Sequence, residues 1–594
     1  MRAALGVALL LVVHNFCFSL LPRRGIPLDS AQMRPAAIAG GHAFAIDFTA
    51  SPADERSSPR SRVILTENDT PLPWKTRTLE TVAEQGGGAW AHPPGQIVFS
   101  TSDNSDPRAN GRRYVAHVPL LYSRGVGYAA LALLLVAGLA LRRLEAVSAS
   151  PAGGVAPTPT RRGFWFSVTL AGVVFAGGLW CNTGTLAPYA ITLAPEVDPA
   201  TGYLYNLDRE QHRTLFAFVE REPRAAWENS LLLRRVLYAV LARPWMEAWG
   251  YEAGGVWFNL AANLLGFVAG VALVRRHLGA RGAIFAAWLL ALYPGAAYWV
   301  GQPFSYAIIF PLSLAGFWAL LELPAARRSR VVVLSLALGL IYLAYDFHAF
   351  FVPASLLVLL WQRRPRAAAL SLALQLVPLA LWLWLLAHVV KVPLENSNTS
   401  VYRQLATAYF HPQLWLGAVQ RLAVLPEIAA DVFFGANFLF LPLLALAAWA
   451  LDFRWRDFTR HRAVPALLAA GVLLFVFSNL PLPQAGDWKI TGSWIARIYQ
   501  PVFPALVFSL ALWWQELRPP GVAARIARRA LVGVVLAANA LICFGPVLKN
   551  PAALSETAFY RFYDHTDSHW IYARNLAQFD RRPIGFPRPA TAGH

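Results

Sequence analysis

The sequence predicts an all-α polytopic membrane protein of about 13 transmembrane helices, with a small extracytoplasmic β domain near its N-terminus. Three observations predict it. Of 594 residues, 56% are hydrophobic and only 14% charged, a balance that soluble domains of this length do not show. Apolar runs close to the ~20 residues needed to cross a bilayer recur along nearly the whole chain. Arginines stand in short clusters between those runs, which is how membrane topology is written in charge.

The formal charge of +19 is therefore read as orientation and phospholipid contact, and nucleic acid is excluded as a partner. Only Cys17, Cys181 and Cys543 occur, each inside or at the edge of an apolar run, so no disulfide framework holds the loops. The first apolar run, to about residue 21, is a transmembrane helix or signal anchor. The nearest small-residue cleavage pattern, Ala37-Ile38-Ala39, lies far beyond it.

Taking about 20 apolar residues per span, helices are expected near 3–21, 124–143, 164–181, 254–275, 281–300, 304–323, 330–345, 346–361, 367–390, 433–451, 463–480, 497–516 and 529–547. With the N-terminus inside, Arg142 and Arg143, Arg161 and Arg162, Arg275 and Arg276, Arg327 and Arg328, Arg363 and Arg364, Arg454 to Arg462, and Arg525 to Arg529 all fall on the cytoplasmic face. The short outer turns near Gln302 and Phe347 carry no Lys or Arg. The localisation expected is the bacterial cytoplasmic (inner) membrane, multi-pass, with the large loops outside.

Residues 22–122 form an exported β-rich module, on strand-like runs such as Arg62-Val-Ile-Leu65 and Gln96-Ile-Val-Phe-Ser100 between Gly, Pro, Asn and Asp turns. A span at 123–143 and a Pro, Gly, Ala and Ser-rich cytoplasmic linker, 144–163, separate it from a multi-helix core over 164–547. The tail 548–594 is extracytoplasmic. Within the core, exoplasmic loop 182–253 contains helical spacings over Arg209 to Glu222 and Trp227 to Met246, read as amphipathic helices on the membrane surface.

That loop carries the chemistry. It reads Tyr203-Leu-Tyr-Asn-Leu-Asp208-Arg-Glu210-Gln211-His212, then Leu231-Leu-Leu-Arg234-Arg235-Val-Leu-Tyr238-Ala-Val-Leu-Ala-Arg243-Pro244. A carboxylate followed by paired arginines ahead of a span suits a reaction on a phosphate-linked lipid. The carboxylate takes a proton from an attacking hydroxyl, and the arginines stabilise the departing phosphate.

The arrangement resembles the GT-C superfamily of membrane glycosyltransferases, whose first large exoplasmic loop carries an essential acidic residue and amphipathic helices. It is most similar to bacterial relatives with an Asp-Gly-Gln stretch followed by Arg-Arg-x-Leu-Tyr-Pro. Asp208 and Gln211 sit in the first stretch, with an extra residue between them and no Gly. Arg234, Arg235, Leu237 and Tyr238 match the second, with Ala239 in place of Pro. Leu292-Tyr-Pro294 to Pro311 resembles the family's helix pair with a short outer turn. Trp494-Ile-Ala-Arg497-Ile-Tyr499-Gln-Pro501-Val-Phe-Pro504 resembles its late Arg-Tyr-x-x-Pro segment.

The resemblance covers about 164–547. It implies a GT-C-like core, a polyprenyl-phosphate sugar as donor, a saccharide, lipid or protein acceptor, and inversion at the anomeric carbon. Asp208 becomes the general base, with Glu210 and Asp198 as rivals. Gln211, Arg234, Arg235, Tyr238, Asp346, His348, Lys489, Arg497 and Tyr499 become the substrate-binding set. No organic cofactor is implied, and a divalent metal stays open.

Plainer roles stand beside these. Asp208 fits a helix N-cap, Arg234 and Arg235 fit snorkelling to lipid headgroups, and Arg497 fits an interface anchor. Asp346 and His348 fit a wet surface turn. Glu210 and His212, two apart on a helix, do not converge on one metal ion. The polar stretch Ser100 to Tyr114 lacks the alternating oxygen ligands of a calcium loop, and Asx-turn chemistry accounts for it. Two rival functions remain: a permease or flippase for a lipid-linked saccharide, which internal symmetry would signal, and a catalytically inactive relative in surface-polysaccharide assembly.

Overall fold

The computed structural model describes most of residues 23–120, 159–181, 235–390, 441–516 and 522–544, with short stretches around 7–14, 125–133, 183, 196–197 and 204–205. The expected spans 3–21 and 124–143, the linker and the C-terminal tail lie wholly or largely outside the described residues.

The N-terminal module is a β-sandwich. Its elements are β1 Arg24–Leu28, β2 Arg34–Pro35, β3 Phe44–Asp47, β4 Ile64–Glu67, β5 Thr70–Pro71, β6 Trp74–Lys75, helix α1 Leu79–Gln85, β7 Ala89–Ala91, β8 Gln96–Phe99 and β9 Tyr114–Val118. One sheet has the order β1-β9-β4-β5 and the other β2-β3-β8-β7-β6. Side chains alternate across each strand. Ile46, Trp90, Ile97 and Phe99 from one sheet meet Leu65, Tyr114, Ala116 and Val118 from the other in a shared core. The opposite face of the second sheet presents Ala45, Ala89, Ala91 and Val98, small enough for Val82 and Ala83 of α1 to pack down on it. The module expected as β-rich thus has a third, helical layer on one side.

The β4–β5 turn is built from Asn68 and Asp69 at φ 46° and 65°, the residue types that tolerate the left-handed region a tight hairpin needs. The polar stretch after β8 is closed on itself. Glu67, almost fully buried, accepts from the Tyr114 hydroxyl at 2.8 Å and Arg112 at 3.1 Å. Arg112 also pairs with Asp103. Hydrogen bonds from the Ser105 hydroxyl and amide, and then the Arg112 guanidinium, hold the Asp103 carboxyl down at about 2.

The helical body contains α2 Arg161–Cys181, α3 Val236–Trp249, α4 Tyr251–Leu278, α5 Ala280–Ala291, α6 Pro294–Trp299, α7 Ile309–Glu322, α8 Arg328–Tyr342, α9 Phe351–Trp361, α10 Pro365–Leu385, α11 Leu441–Asp452, α12 Ala463–Ser478, α13 Phe503–Glu516 and α14 Val522–Cys543. Three 3-10 turns, Ser305–Ile308, Asp346–Phe350 and Ala496–Val502, lead into α7, α9 and α13. Between α2 and α3, Glu196–Val197 (β10) pairs with Leu204–Tyr205 (β11).

Four segments among the described residues are long and apolar enough to cross a bilayer: Arg161–Trp180, Ala253–Leu278, Ser305–Ala325 and Pro365–Val389. The other expected spans are shorter helices, begin with arginines, or lie outside the described residues. Large apolar side chains such as Leu265, Val268, Val333, Leu381, Val472 and Val534 face outward from the helices, as lipid-facing residues of an integral membrane protein do.

Three expectations are refined. The span expected at 281–300 breaks into α5 and α6, because Pro294 belongs at a helix start and not in a helix interior. Of the helix expected over Trp227–Met246, the described part is α3, Val236–Trp249, and the helix expected over Arg209–Glu222 lies outside the described residues. Segment 481–496, between the expected spans 463–480 and 497–516, carries a hairpin of Pro481–Gln484 (β12) and Asp487–Ile490 (β13).

Packing follows the membrane rule that small residues let helices approach. Gly266 on α4 sits against Pro311 and Gly270 against Leu290 and Leu314, while Gly282 on α5 faces the Ala511 carbonyl. Gly250 and Gly279, at φ 82° and 88°, make the sharp reversals at either end of α4. Tyr293 stacks on Phe503 at 4.2 Å and on Phe310 at 5.8 Å, binding α13 to α7.

One end of the body is basic. Glu322, closing α7, is held by Arg330 at 2.9 Å, Arg276 at 3.1 Å and His277 at 3.7 Å. Arg275 lies 4.4 Å over the Phe164 ring, and Arg462 donates to the Trp361 carbonyl at 2.9 Å. The segment Ser305–Ala325 spans 21 residues, about 30 Å of helix rise, long enough for its two ends to reach opposite faces of a bilayer.

The Asp103 carboxyl, depressed from 3.8 to about 2, favours the folded module whenever it is ionised. That contribution is complete above about pH 4 and disappears as pH falls through 2. Asp103→Asn is expected to lower the unfolding temperature at pH 7 and to match the parent near pH 2, as scanning calorimetry of the full chain would show.

Candidate active site

At the end of the body opposite Glu322, the start of α3 and the turns that lead into α7, α9 and α13 come together. Arg235 immediately precedes α3, and the next turn is anchored because the Leu237 amide donates to the Leu343 carbonyl at 3.1 Å. This sets Arg235 against the residues that follow α8. Its guanidinium lies 5.0 Å over the Tyr345 ring and 5.3 Å over the Tyr306 ring, and it donates to the Tyr306 hydroxyl at 3.0 Å. The two tyrosines meet edge to face at 5.5 Å, and Trp299 backs Tyr306 at 5.6 Å. Arg235 is only 6% exposed, so these aromatic faces stabilise a cation that water barely reaches.

Beneath it, α4 supplies a clamp. Tyr238 donates to Asn259 at 3.0 Å, and Asn259 donates to the Val300 carbonyl at 3.0 Å. Asn263, one helical turn on, donates to the Ala307 carbonyl at 2.8 Å. The break between α6 and α7, which contains Tyr306, is therefore pinned on both sides by amides from one helix face.

His348 lies in the 346–350 turn, its Nε2 3.2 Å from the Ser313 hydroxyl, stacked on Phe351 and edge-on to Tyr345. That turn packs against the 496–502 turn. Tyr499 of the latter is fully buried between Phe350 and Phe475, at 6.4 and 5.7 Å.

The sequence-predicted residues therefore divide. Arg235, Tyr238, His348 and Tyr499 are brought to one end of the body. Asp346 begins the 346–350 turn and Arg497 is the second residue of the 496–502 turn, so both backbones belong to the same end. Lys489 sits on β13, opposite Leu482. Asp208, Glu210, Asp198, Gln211 and Arg234 lie outside the described residues. Among the described residues, no three or more His, Cys, Asp or Glu side chains group as a metal site.

The sequence reading missed Tyr306, Tyr345, Asn259, Asn263 and Ser313. The two asparagines carried a signal: amides at positions i and i+4 of a long apolar helix share a face and need partners. The tyrosines carried none, because an aromatic residue inside an apolar run reads as ordinary core.

Asn259→Ala leaves the Tyr238 hydroxyl and the Val300 carbonyl without this bridge in a buried setting, a loss of about 1–3 kcal/mol. A lowered unfolding temperature in detergent, with Asn259→Gln intermediate, is the expected outcome.

No protein-family model matches the chain and no curated protein matches it in sequence. Solved structures are similar to it. ArnT from Cupriavidus metallidurans bound to undecaprenyl phosphate aligns with 15% identity and a TM-score of 0.41, over 70% of this chain and 76% of that one. An oligosaccharyltransferase from Archaeoglobus fulgidus aligns with 13% identity and a TM-score of 0.36, over 64% of this chain and 52% of that one. The arabinosyltransferase EmbB from Mycobacterium smegmatis aligns with 13% identity and a TM-score of 0.29, over 93% and 64%.

Proposed function

We propose that this chain is a membrane glycosyltransferase that moves a sugar from a polyprenyl-phosphate donor to a hydroxyl of a saccharide, lipid or protein acceptor. The reaction takes place at the outer face of the bacterial cytoplasmic membrane, with the N-terminus inside. The observation that carries the reading is Arg235: a buried guanidinium, gripped by two tyrosines, at the end of the body away from the basic cluster. A cation fixed in a site of low dielectric costs no reorganisation when negative charge appears on a leaving phosphate. The planar fork of Arg suits phosphate oxygens better than the point charge of Lys.

The chemistry balances without a redox step. The base, Asp208 with Glu210 and Asp198 as rivals, takes the proton from the acceptor hydroxyl. The acceptor oxygen attacks the anomeric carbon from the face opposite the phosphate, the carbon–oxygen bond to phosphate breaks, and polyprenyl phosphate leaves with the electron pair. Attack from that face inverts the anomeric centre. Arg235, with Arg234 and Arg497, receives the phosphate, and Gln211, Asp346 and Lys489 contact donor or acceptor. Tyr238, His348 and Tyr499 are sealed in packing, and serve the substrate by holding the elements around it. The β-sandwich is assigned to the exported side with the outer loops, where acceptor is found.

The test is release of polyprenyl phosphate by purified protein from a panel of polyprenyl-phosphate sugars. Asp208→Asn is expected to lower turnover at least a hundredfold, a loss of about 2.7 kcal/mol in the transition state. Arg235→Lys is expected to lower kcat/KM more than tenfold while the protein stays folded. Turnover unaffected by the Asp208 change moves the base to Glu210, Asp198 or Asp346. No release from any donor by folded protein overturns the reading.

A further inference from the structure

The basic end of the body holds a second feature, unrelated to sugar transfer. Helices α8 and α10 rise from it side by side and in the same direction. Ser335 meets Ser371 at 2.8 Å, and one turn on Gly339 lies so close to the Gln375 carbonyl that a Cβ there would be 2.4 Å from it. Their first turns are locked together from below. Arg364 donates to the carbonyls of Leu323 at 3.3 Å, Pro324 at 2.9 Å and Ala326 at 2.9 Å, which sets the turn before α10 against the turn before α8.

Four more arginines stand on those two turns: Arg327 and Arg328 on one, Arg363 and Arg366 on the other. All four are exposed, and among the described residues their side chains make no hydrogen bond or ion pair. The acid closest in sequence, Glu322, is already engaged by Arg276, Arg330 and His277. The patch is thus a concentration of uncompensated positive charge at the start of two parallel helices, whose dipoles add to it.

Arg363 supplies an independent observation. It closes α9 at φ 56°, in the left-handed conformation where glycine is the favoured residue. An arginine there carries a backbone cost that glycine would not. Immediately along the same helices, Val333 and Leu340 of α8 and Leu372 and Leu376 of α10 are exposed and apolar.

We propose that this patch is a binding site for an anionic phospholipid of the leaflet at the basic end. Arg327, Arg328, Arg363 and Arg366 take the headgroup phosphate, and the acyl chains lie along the exposed leucines and valine of α8 and α10. Guanidinium groups match phosphate oxygens in fork geometry, and a leaflet rich in anionic lipid supplies the complementary charge.

The test uses the full chain in detergent. Unfolding temperature is followed with added phosphatidylglycerol, phosphatidylcholine or inorganic phosphate, and retained lipid is counted by native mass spectrometry. Phosphatidylglycerol is expected to stabilise the parent and to stay bound, the other two to do neither. Arg327→Gln with Arg366→Gln is expected to weaken the phosphatidylglycerol response at least tenfold in midpoint concentration. Arg363→Gly is the decisive variant. It relieves the backbone, so its lipid-free unfolding temperature should match or exceed the parent's, while its phosphatidylglycerol response falls severalfold. An equal response to phosphatidylcholine, the same effect from inorganic phosphate, or a full response in Arg363→Gly would overturn the proposal.

Discussion

Hydrocarbon offers a polar atom nothing to bond to, and the helical body is arranged around that constraint. Several polar side chains carried into the apolar helices bond to other elements. Asn259 and Asn263 bond carbonyls at a helix break, Ser335 bonds Ser371, and Gln375 donates to both Ser355 and Ser371. A backbone break exposes peptide units that such groups can satisfy. The break between α6 and α7 is the clearest case. The carbonyls of Val300 and Ala307, released from helical bonding, are the ones the two asparagines take.

The same constraint explains why the breaks gather at one end. A helix break is affordable where several can share partners, so the breaks before α3, α7, α9 and α13 gather, and their non-helical residues become neighbours. Arg235, Tyr306, Tyr345, His348 and Tyr499 come from segments up to 264 positions apart in sequence, between Arg235 and Tyr499. They meet because each lies at a break. Aromatic rings fill the space between them, which keeps water from the guanidinium and makes its charge act over a low dielectric.

How much of this was legible in the sequence depends on whether the information was local. Apolar length and arginine position are local, so α2, α4, α8 and α10 fall within a few residues of their expected bounds. The strand run at 96–100 is local too. The pairing of β1 with β9, which joins Arg24 to Val118, is not, and no periodicity within either strand announces it. Helix α1 has seven residues, too few to display a helical period. In the site, Arg235 was visible as half of a charged pair ahead of a span, whereas Tyr306 and Tyr345 acquire meaning only once Arg235 lies between them.

Arginine then shows how little residue type decides alone. Arg235 is buried against two aromatic faces, Arg364 is engaged by three carbonyls of the turn that follows α7, and Arg363, its neighbour in sequence, is exposed at a backbone angle that glycine would prefer. Positive-inside statistics count Arg363 and Arg364 alike as topology signals. Their surroundings separate them: Arg364 completes the hydrogen bonding of a helix terminus, and replacing it would expose peptide carbonyls. Arg363 completes nothing within the described protein, and its charge acts outward. The two ends of the body thus use one side chain in opposite ways, holding a cation away from water at one end and offering it to the surface at the other.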